Sequence, residues 1–403
     1  MPVTYSLGRA PVHALSPVMY SLFLETEINF GGEGGLLAEL LPNRDFETLG
    51  RGAIPGAAAM RSAPDPREPP ADPQDFRPWT PIRGAALSID NASAPFATNP
   101  HVLRVRGGAG SGASNPGYWG IAAWLNGWFE LSMYARSARG ASLDARLVQD
   151  GATLSHARID VPASGEWQHL RATLPPTYTH TPRDAASFEL VFAPGAAATS
   201  EVWLDSVSLR PSNAVGGLFR ADIFQMLRGL RPGFVRMPGG NYLEGTGPRT
   251  RWDWKATLGP PAARKGHYNS AWGYWVTDAF GVYEMLILAE LLGSEPQLGV
   301  YTGFSMGARC VRAASKRASA TRNTPYLTGA AHCAFRMRQV RAAQRVSALR
   351  CRRGRSARLR QRRPGRLAVG RQARVDGSRG AVWSTPARDR QRGVRHGRVR
   401  ILE

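Results

Sequence analysis

Cysteine is nearly missing from this chain. The only three, Cys310, Cys333 and Cys351, lie close to the C-terminal end. They have neither CxxC nor CxxxC spacing and no paired histidines, which argues against a metal site of the zinc type. No stretch of about 18 apolar residues occurs, which argues against a membrane-spanning helix. The first residues, MPVTYSLGRAPVHALSPVMY, lack a charged start followed by an apolar run, so no signal peptide is visible. Lysine is scarce where basic charge is densest. From Gly307 to Glu403 there are 27 Lys+Arg, of which only Lys316 is lysine, against Asp376, Asp389 and Glu403. That segment carries +24 of a formal net +22, leaving −2 on the first 306 residues. A nearly neutral body therefore precedes a very basic tail. The tail has no RGG repeat and no helical period to enter a groove, so its charge predicts salt-dependent sticking to polyanions and no specific nucleic-acid partner.

With 403 residues the chain has room for two or three domains. SPVMYSLFLETEINF reads as a buried strand over about Val18 to Leu24 with Glu25 at its end, and GGEGGLLAELLPNRDFE as a glycine turn and a helical piece with Leu36, Leu37, Leu40 and Leu41 on one side. These form a first βα unit over residues 1–50. Residues 51–75, rich in Pro, Ala and Gly, read as a linker. Over residues 76–210, short alternating runs such as WFELSMYARS, EWQHLRATL and EVWLDSVSL recur at the spacing of an all-β sandwich. Trp119, Trp124, Trp128, Trp167 and Trp203 are read there as core. The pattern then changes over residues 211–306. FRADIFQMLRGLRPG and TDAFGVYEMLILAELLGS read as helices, the second capped by Thr277 or Asp278 and ended by Gly293, while FVRMPGGN and EPQLGVYTGFS read as buried strands. Alternation of β and α predicts a parallel sheet or barrel interrupted by the sandwich. Residues 307–403 show neither period and are expected to be disordered.

In FVRMPGGNYLEG an arginine leaves a buried run and the chain turns on Pro-Gly-Gly into an asparagine. On spacing alone, Arg236 fits a structural arginine paired to a rim carboxylate as well as a ligand-binding one. Asn241 fits a turn residue, and Glu27 would face the same side of an extended strand as Glu25. With YSLFLETEINFGGEGGLLAELLPNRDFE, NPGYWGI, LSMYARS, LRPGFVRMPGGNYLEG, RWDWKATLGP and WGYWVTDAFGVYEML, the body resembles the plant-type α-L-arabinofuranosidases of glycoside hydrolase family 51 over about residues 15–305. The resemblance implies an α/β plus all-β chain: a partial (β/α)8 barrel, its first three strands, interrupted by an inserted jelly-roll, galactose-binding-like β-sandwich. It implies a retaining hydrolase of arabinose-containing polysaccharide or oligosaccharide, without cofactor or metal, acting outside the cell. It also implies that Glu25, Arg236 and Asn241 bind the sugar at the strand ends.

The chain departs from that family where chemistry is needed. A retaining glycosidase uses two carboxyl groups roughly 5 to 5.5 Å apart. In the resembled family both are glutamates, one directly after an asparagine. Beyond Ser305 there is no Asn-Glu pair and the only glutamate is Glu403. Catalytic residues therefore have no candidates, and a chain without hydrolysis is expected, with non-catalytic carbohydrate binding as the alternative. The sudden dominance of arginine is what a GC-rich coding sequence gives when read one base out of frame, and similarity is expected to stop near Ser305.

Overall fold

The structure, a computed structural model, describes residues 14–16, 18–52, 68–123, 127–177 and 185–306, with the backbone of 382–384 and 398–400. Its first strand is shorter than the apolar run predicts. Only β1 (Leu22–Phe23) pairs, while Val18, Met19 and Tyr20 stand exposed before it. A single turn of π-helix, Gly32–Leu36, replaces the helix expected to reach Leu41. Leu37 is already extended, because the returning chain takes the amides that a helix would use: Ala38 N–H bonds Leu218 O and Leu40 N–H bonds Leu209 O. Leu36, Leu37 and Leu41 are buried all the same. In the stretch read as a linker, residues 53–67 lie outside the described residues. Its far end is tied back by Asp72 N–H to Leu49 O.

Ten strands follow: β2 (Thr80–Ile82), β3 (Ala86–Asp90), β4 (Val102–Gly107), β5 (Gly112–Asn115), β6 (Phe129–Arg136), β7 (Ala141–Gln149), β8 (Ala152–Val161), β9 (Gln168–Leu174), β10 (Ser187–Phe192) and β11 (Ser200–Pro211). They form two five-stranded antiparallel sheets, ordered β2-β5-β10-β7-β8 and β3-β4-β11-β6-β9. The period-2 pattern explains the layering. Along β6, Phe129, Leu131, Met133 and Ala135 are buried, while Glu130, Ser132, Tyr134 and Arg136 point outward. The tryptophan in this core is Trp79, packed by Phe46 and Phe188. The tryptophans read as core are not in it. Trp119 and Trp128 are half-exposed, Trp203 sits at an outward position of β11 with its indole N–H on Asp90, Trp167 is partly exposed, and Trp124 lies outside the described residues.

The two ends of the sandwich meet at Glu39. This carboxylate is buried, and its Oε1 accepts the N–H groups of Leu40 and Leu41 on the way in and of Leu209 on the way out; Oε2 accepts the Ser208 hydroxyl. The zipper runs on through an antiparallel bridge of Leu37 with Phe219 and an Arg220 N–H bond to Leu36 O.

After it come α1 (Ala221–Gly229), β12 (Phe234–Met237), the single turn α2 (Asn241–Glu244), the hairpin β13 (His267–Asn269) and β14 (Tyr274–Val276), α3 (Val282–Leu292) and β15 (Glu295–Leu298). β1, β12 and β15 form a parallel sheet in that order, with Phe23 opposite Arg236 and Arg236 opposite Gln297. Val235 and Met237 pack with Phe224, Met285 and Leu288 on the helix side. α3 begins later than its expected cap. The Val282 N–H is taken by Thr257 Oγ1 and the Gly281 N–H by Glu284 from within the helix. Gly293, at φ +72°, ends the helix as expected. β15 is not the buried strand expected, since Glu295, Pro296 and Gln297 are exposed and no described strand pairs its outer side. The long connection from β12 to α3 is pinned by Arg264, buried with Glu284 in a bidentate pair at 2.9 Å and also bonded to the carbonyls of Gly259, Asp278 and Ala279.

A separate unit spans Thr321–Glu403, of which β16 (Val382–Ser384) and β17 (Arg398–Arg400) are described. They pair antiparallel, which corrects the expectation of no regular element at these positions; the rest of the expected disordered tail lies outside the described residues. Among the described residues no helix is long and apolar enough to cross a membrane.

Removing the Glu39 side chain strands the buried N–H groups of Leu41 and Leu209 and the Ser208 hydroxyl, each costing about 1–3 kcal/mol, while Leu40 N–H keeps its bond to Leu209 O. Glu39→Ala is expected to lower the unfolding free energy in urea by at least about 3 kcal/mol, and Glu39→Gln, which keeps one acceptor oxygen, by less. An unchanged midpoint for Glu39→Ala would show that the sandwich ends hold together without it.

Candidate functional site at the strand ends

The three residues expected to bind sugar lie at the same end of neighbouring strands. Phe23 and Arg236 are cross-strand partners on the open face of the sheet, with the guanidinium 4.3 Å from the Phe23 ring centroid. Past the end of β1 the ladder continues, Leu24 N–H to Arg236 O and Thr26 N–H to Pro238 O at 2.9 Å, so Glu25 comes level with the Pro-Gly-Gly turn. Its Oε1 accepts the Tyr242 N–H at 3.1 Å. Gly239 is required twice over: its φ is +147°, and a Cβ there would collide with the Glu25 side chain. Asn241 opens α2 and is exposed, as is Arg236. Neither side chain makes a hydrogen bond to a described residue, so their donors remain open to a ligand.

Glu27 does not share this face. Only 2% exposed, it has turned inward beneath the rim, and its backbone carbonyl accepts the Tyr274 hydroxyl at 2.6 Å and the Asn269 amide at 2.9 Å. Its Oε2 has no partner. Burial pushes its pKa well above the ordinary carboxylate range, and the neighbouring Glu33 and Asp278 push it further. Glu33 is also buried and is raised to about 7 by burial, against the pull of Arg44 and of bonds from Thr277; Ala279 N–H also donates to it at 3.1 Å. His267 closes the cluster with Nδ1 3.0 Å from Asp278 Oδ1. Burial lowers the His267 pKa, but Asp278 more than offsets it and the balance is upward. Sequence reading missed this cluster. Its signal was a glutamate between glycines in GGEGG and the Thr277-Asp278 pair, which were read as a turn and a helix cap. Among the described residues no group of three or more His, Cys, Asp or Glu is placed to hold a metal ion.

The cluster fixes a pH dependence. Glu27 and Glu33 keep protons in the folded chain at pH values where the unfolded chain, near 4.5, has lost them. Stability from these groups is therefore present below about pH 4.5 and falls as pH rises above it, for Glu33 through about 7. The raised His267 acts in the same direction. The thermal midpoint is expected to drop by several degrees between pH 5 and pH 8, and Glu27→Gln, neutral at every pH, to flatten the drop. A midpoint rising over this interval would contradict the burial of these acids.

Comparison with known proteins matches residues 226–350 to the family described as Alpha-L-arabinofuranosidase 1 domain. That match runs past Ser305 into the arginine-rich segment, correcting the expectation that similarity stops there. The chain is 31% identical over 294 residues to Alpha-L-arabinofuranosidase 1 of Arabidopsis thaliana, covering 69% of this chain and 39% of the relative. It is 31% identical over 304 residues to the extracellular exo-alpha-L-arabinofuranosidase of Streptomyces chartreusis, covering 70% and 32%. A solved structure of arabinose-bound MgGH51 α-L-arabinofuranosidase superposes with a TM-score of 0.62 at 31% identity, over 74% of this chain and 46% of that one. The chain thus spans about two fifths of the length of the curated relatives it matches. By sequence and by fold together, the matched part of the chain is similar to α-L-arabinofuranosidases, a solved glycoside hydrolase family 51 enzyme among them.

Proposed function

We propose that this chain carries the sugar-recognising part of an α-L-arabinofuranosidase, and that β1, β12 and β15 are the opening strands of a (β/α)8 barrel. The observation that carries the reading is the rim itself. Glu25 is fastened by Tyr242 N–H to the turn that Gly239 permits, and Arg236 and Asn241 leave their donors free beside it. A non-reducing-end arabinofuranosyl group offers hydroxyls that act as donor and acceptor at once. An acceptor (Glu25), a planar donor (Arg236) and an amide (Asn241) held on strand ends supply the complementary set. In a complete active site of this type, hydrolysis with retention needs an acid/base and a nucleophile. Glu25 is read here as a binding acceptor, with Oε1 held by the turn and Oε2 left for a sugar hydroxyl. Glu27 and Glu33 are sealed below the rim. The substrates would be arabinose-bearing side chains of hemicellulose or pectin, met outside the cell as for the relative named extracellular.

A second reading, carbohydrate binding without hydrolysis, is favoured by one feature of the sequence: no Asn-Glu pair occurs, and no glutamate lies between Glu295 and Glu403. The two readings separate experimentally. The purified chain is expected to release no p-nitrophenol from p-nitrophenyl α-L-arabinofuranoside above a blank, yet to show saturation-transfer NMR contacts to that compound. Arg236→Ala and Asn241→Ala are each expected to weaken those contacts at least about tenfold, in line with loss of a charge-assisted or amide hydrogen bond. Turnover by the wild-type chain would place the reactive acids within it, and contacts unmoved by either substitution would place the sugar elsewhere.

A further inference from the structure

The outer face of the second sandwich sheet carries a groove that the rim does not use. We propose that this groove, between the β6-β9-β11 face and the Pro260–Ala262 segment, binds a run of neutral sugar rings of the polysaccharide main chain. The proposal rests on reading the chain as one that acts on arabinose-bearing glycans. Its volume, about 610 Å³, lies within the roughly 300–1,000 Å³ of small-ligand sites.

Strand register builds the floor. Across β6 and β9, Glu130 stands opposite Thr173, Ser132 opposite Arg171, and Tyr134 opposite His169. Tyr134 and His169 stack at 4.6 Å with an interplanar angle of 9°, and Phe96 meets Tyr134 edge-on at 4.9 Å, so the aromatic pair is held flat. At the other end Trp128 is 48% exposed, its orientation fixed by the indole N–H on Glu130 Oε1 at 3.0 Å. From residue 128 to residue 134 an extended chain covers about 20 Å at ~3.3 Å per residue, long enough for several rings. Between the two aromatic ends lie Ser132 and Arg171, and the Arg171 guanidinium bonds to no described residue.

The flat aromatic surfaces point to a ligand with ring faces, and most of the charged groups beside them are already engaged. On the same face Glu130 is opposite Arg210 across β11, and Arg210 is itself 3.7 Å from Glu39. Burial and the neighbouring Arg171 lower the His169 pKa below its ordinary value, so the ring is uncharged at neutral pH. Aromatic planes at both ends, with the Ser132 hydroxyl and the Arg171 guanidinium as hydrogen-bonding groups between them, suit the apolar faces and hydroxyl edges of pyranose or furanose rings. The wall at Pro260–Ala262 belongs to the connection that leaves the strand ends at Pro238 and returns at α3, which places groove and rim on one continuous piece of chain.

Affinity gel electrophoresis of the full chain in soluble arabinoxylan tests this. Wild type is expected to be retarded, with and without saturating free L-arabinose. Trp128→Ala and, separately, Arg171→Gln are each expected to raise the apparent dissociation constant at least tenfold; circular dichroism checks that both variants are folded, and both positions are exposed. Wild-type migration unaffected by the polymer would overturn the groove, as would retardation of both variants equal to wild type. Retardation abolished by L-arabinose would also overturn it while leaving the rim reading intact, because binding would then sit at the strand ends.

Discussion

Everything at the rim depends on Glu39 holding together two points of the chain that are 169 and 170 residues apart. A sandwich inserted into an α/β unit is tolerated only if its ends emerge side by side, otherwise the host strands cannot pair. One buried carboxylate accepting amides from both ends does this, and the bridge from Leu37 to Phe219 extends it. With entry and exit fixed, Glu25 and Arg236 belong to adjacent strands although the whole sandwich separates them in sequence. The clasp therefore brings together strand ends that it does not touch.

Glu25 and Glu27 show how burial divides identical side chains two positions apart. Glu25 remains at the end of the sheet, where a main-chain amide is its partner. Glu27 has left the strand geometry and entered a site shared with Glu33 and Asp278, where desolvation and like charge favour the protonated form. One is available to a hydroxyl and the other is a structural acid. Arg264 has the complementary role: its guanidinium is fully spent on Glu284 and three carbonyls, fixing the connection that overlies the strand ends.

Much of this was legible in the sequence where a period was long and local. The alternation in WFELSMYARS locates β6 and its inward face, and the turn residues of RMPGGN locate the rim. What was not legible depended on partners distant in the chain. LLAELL has helical spacing, yet its amides are taken by residues 209 and 218, so it is extended. Thr277 and Asp278 look like a cap, yet they serve the buried Glu33 and His267. The tryptophans of the sandwich read as core because they are large and apolar. Their parity in the strands sends Trp203 outward and leaves Trp128 beside a glutamate that holds its N–H.

The side of β15 that no described strand pairs has a further meaning. An unpaired row of amides and carbonyls is a template for any extended peptide, and proteins guard such margins with charge and proline. Glu295 and Pro296 supply both at the start of this strand, and Gln297 and Leu298 do not. Gln297 and Leu298 are thus the point at which a neighbouring polypeptide would find the easiest backbone pairing on this strand.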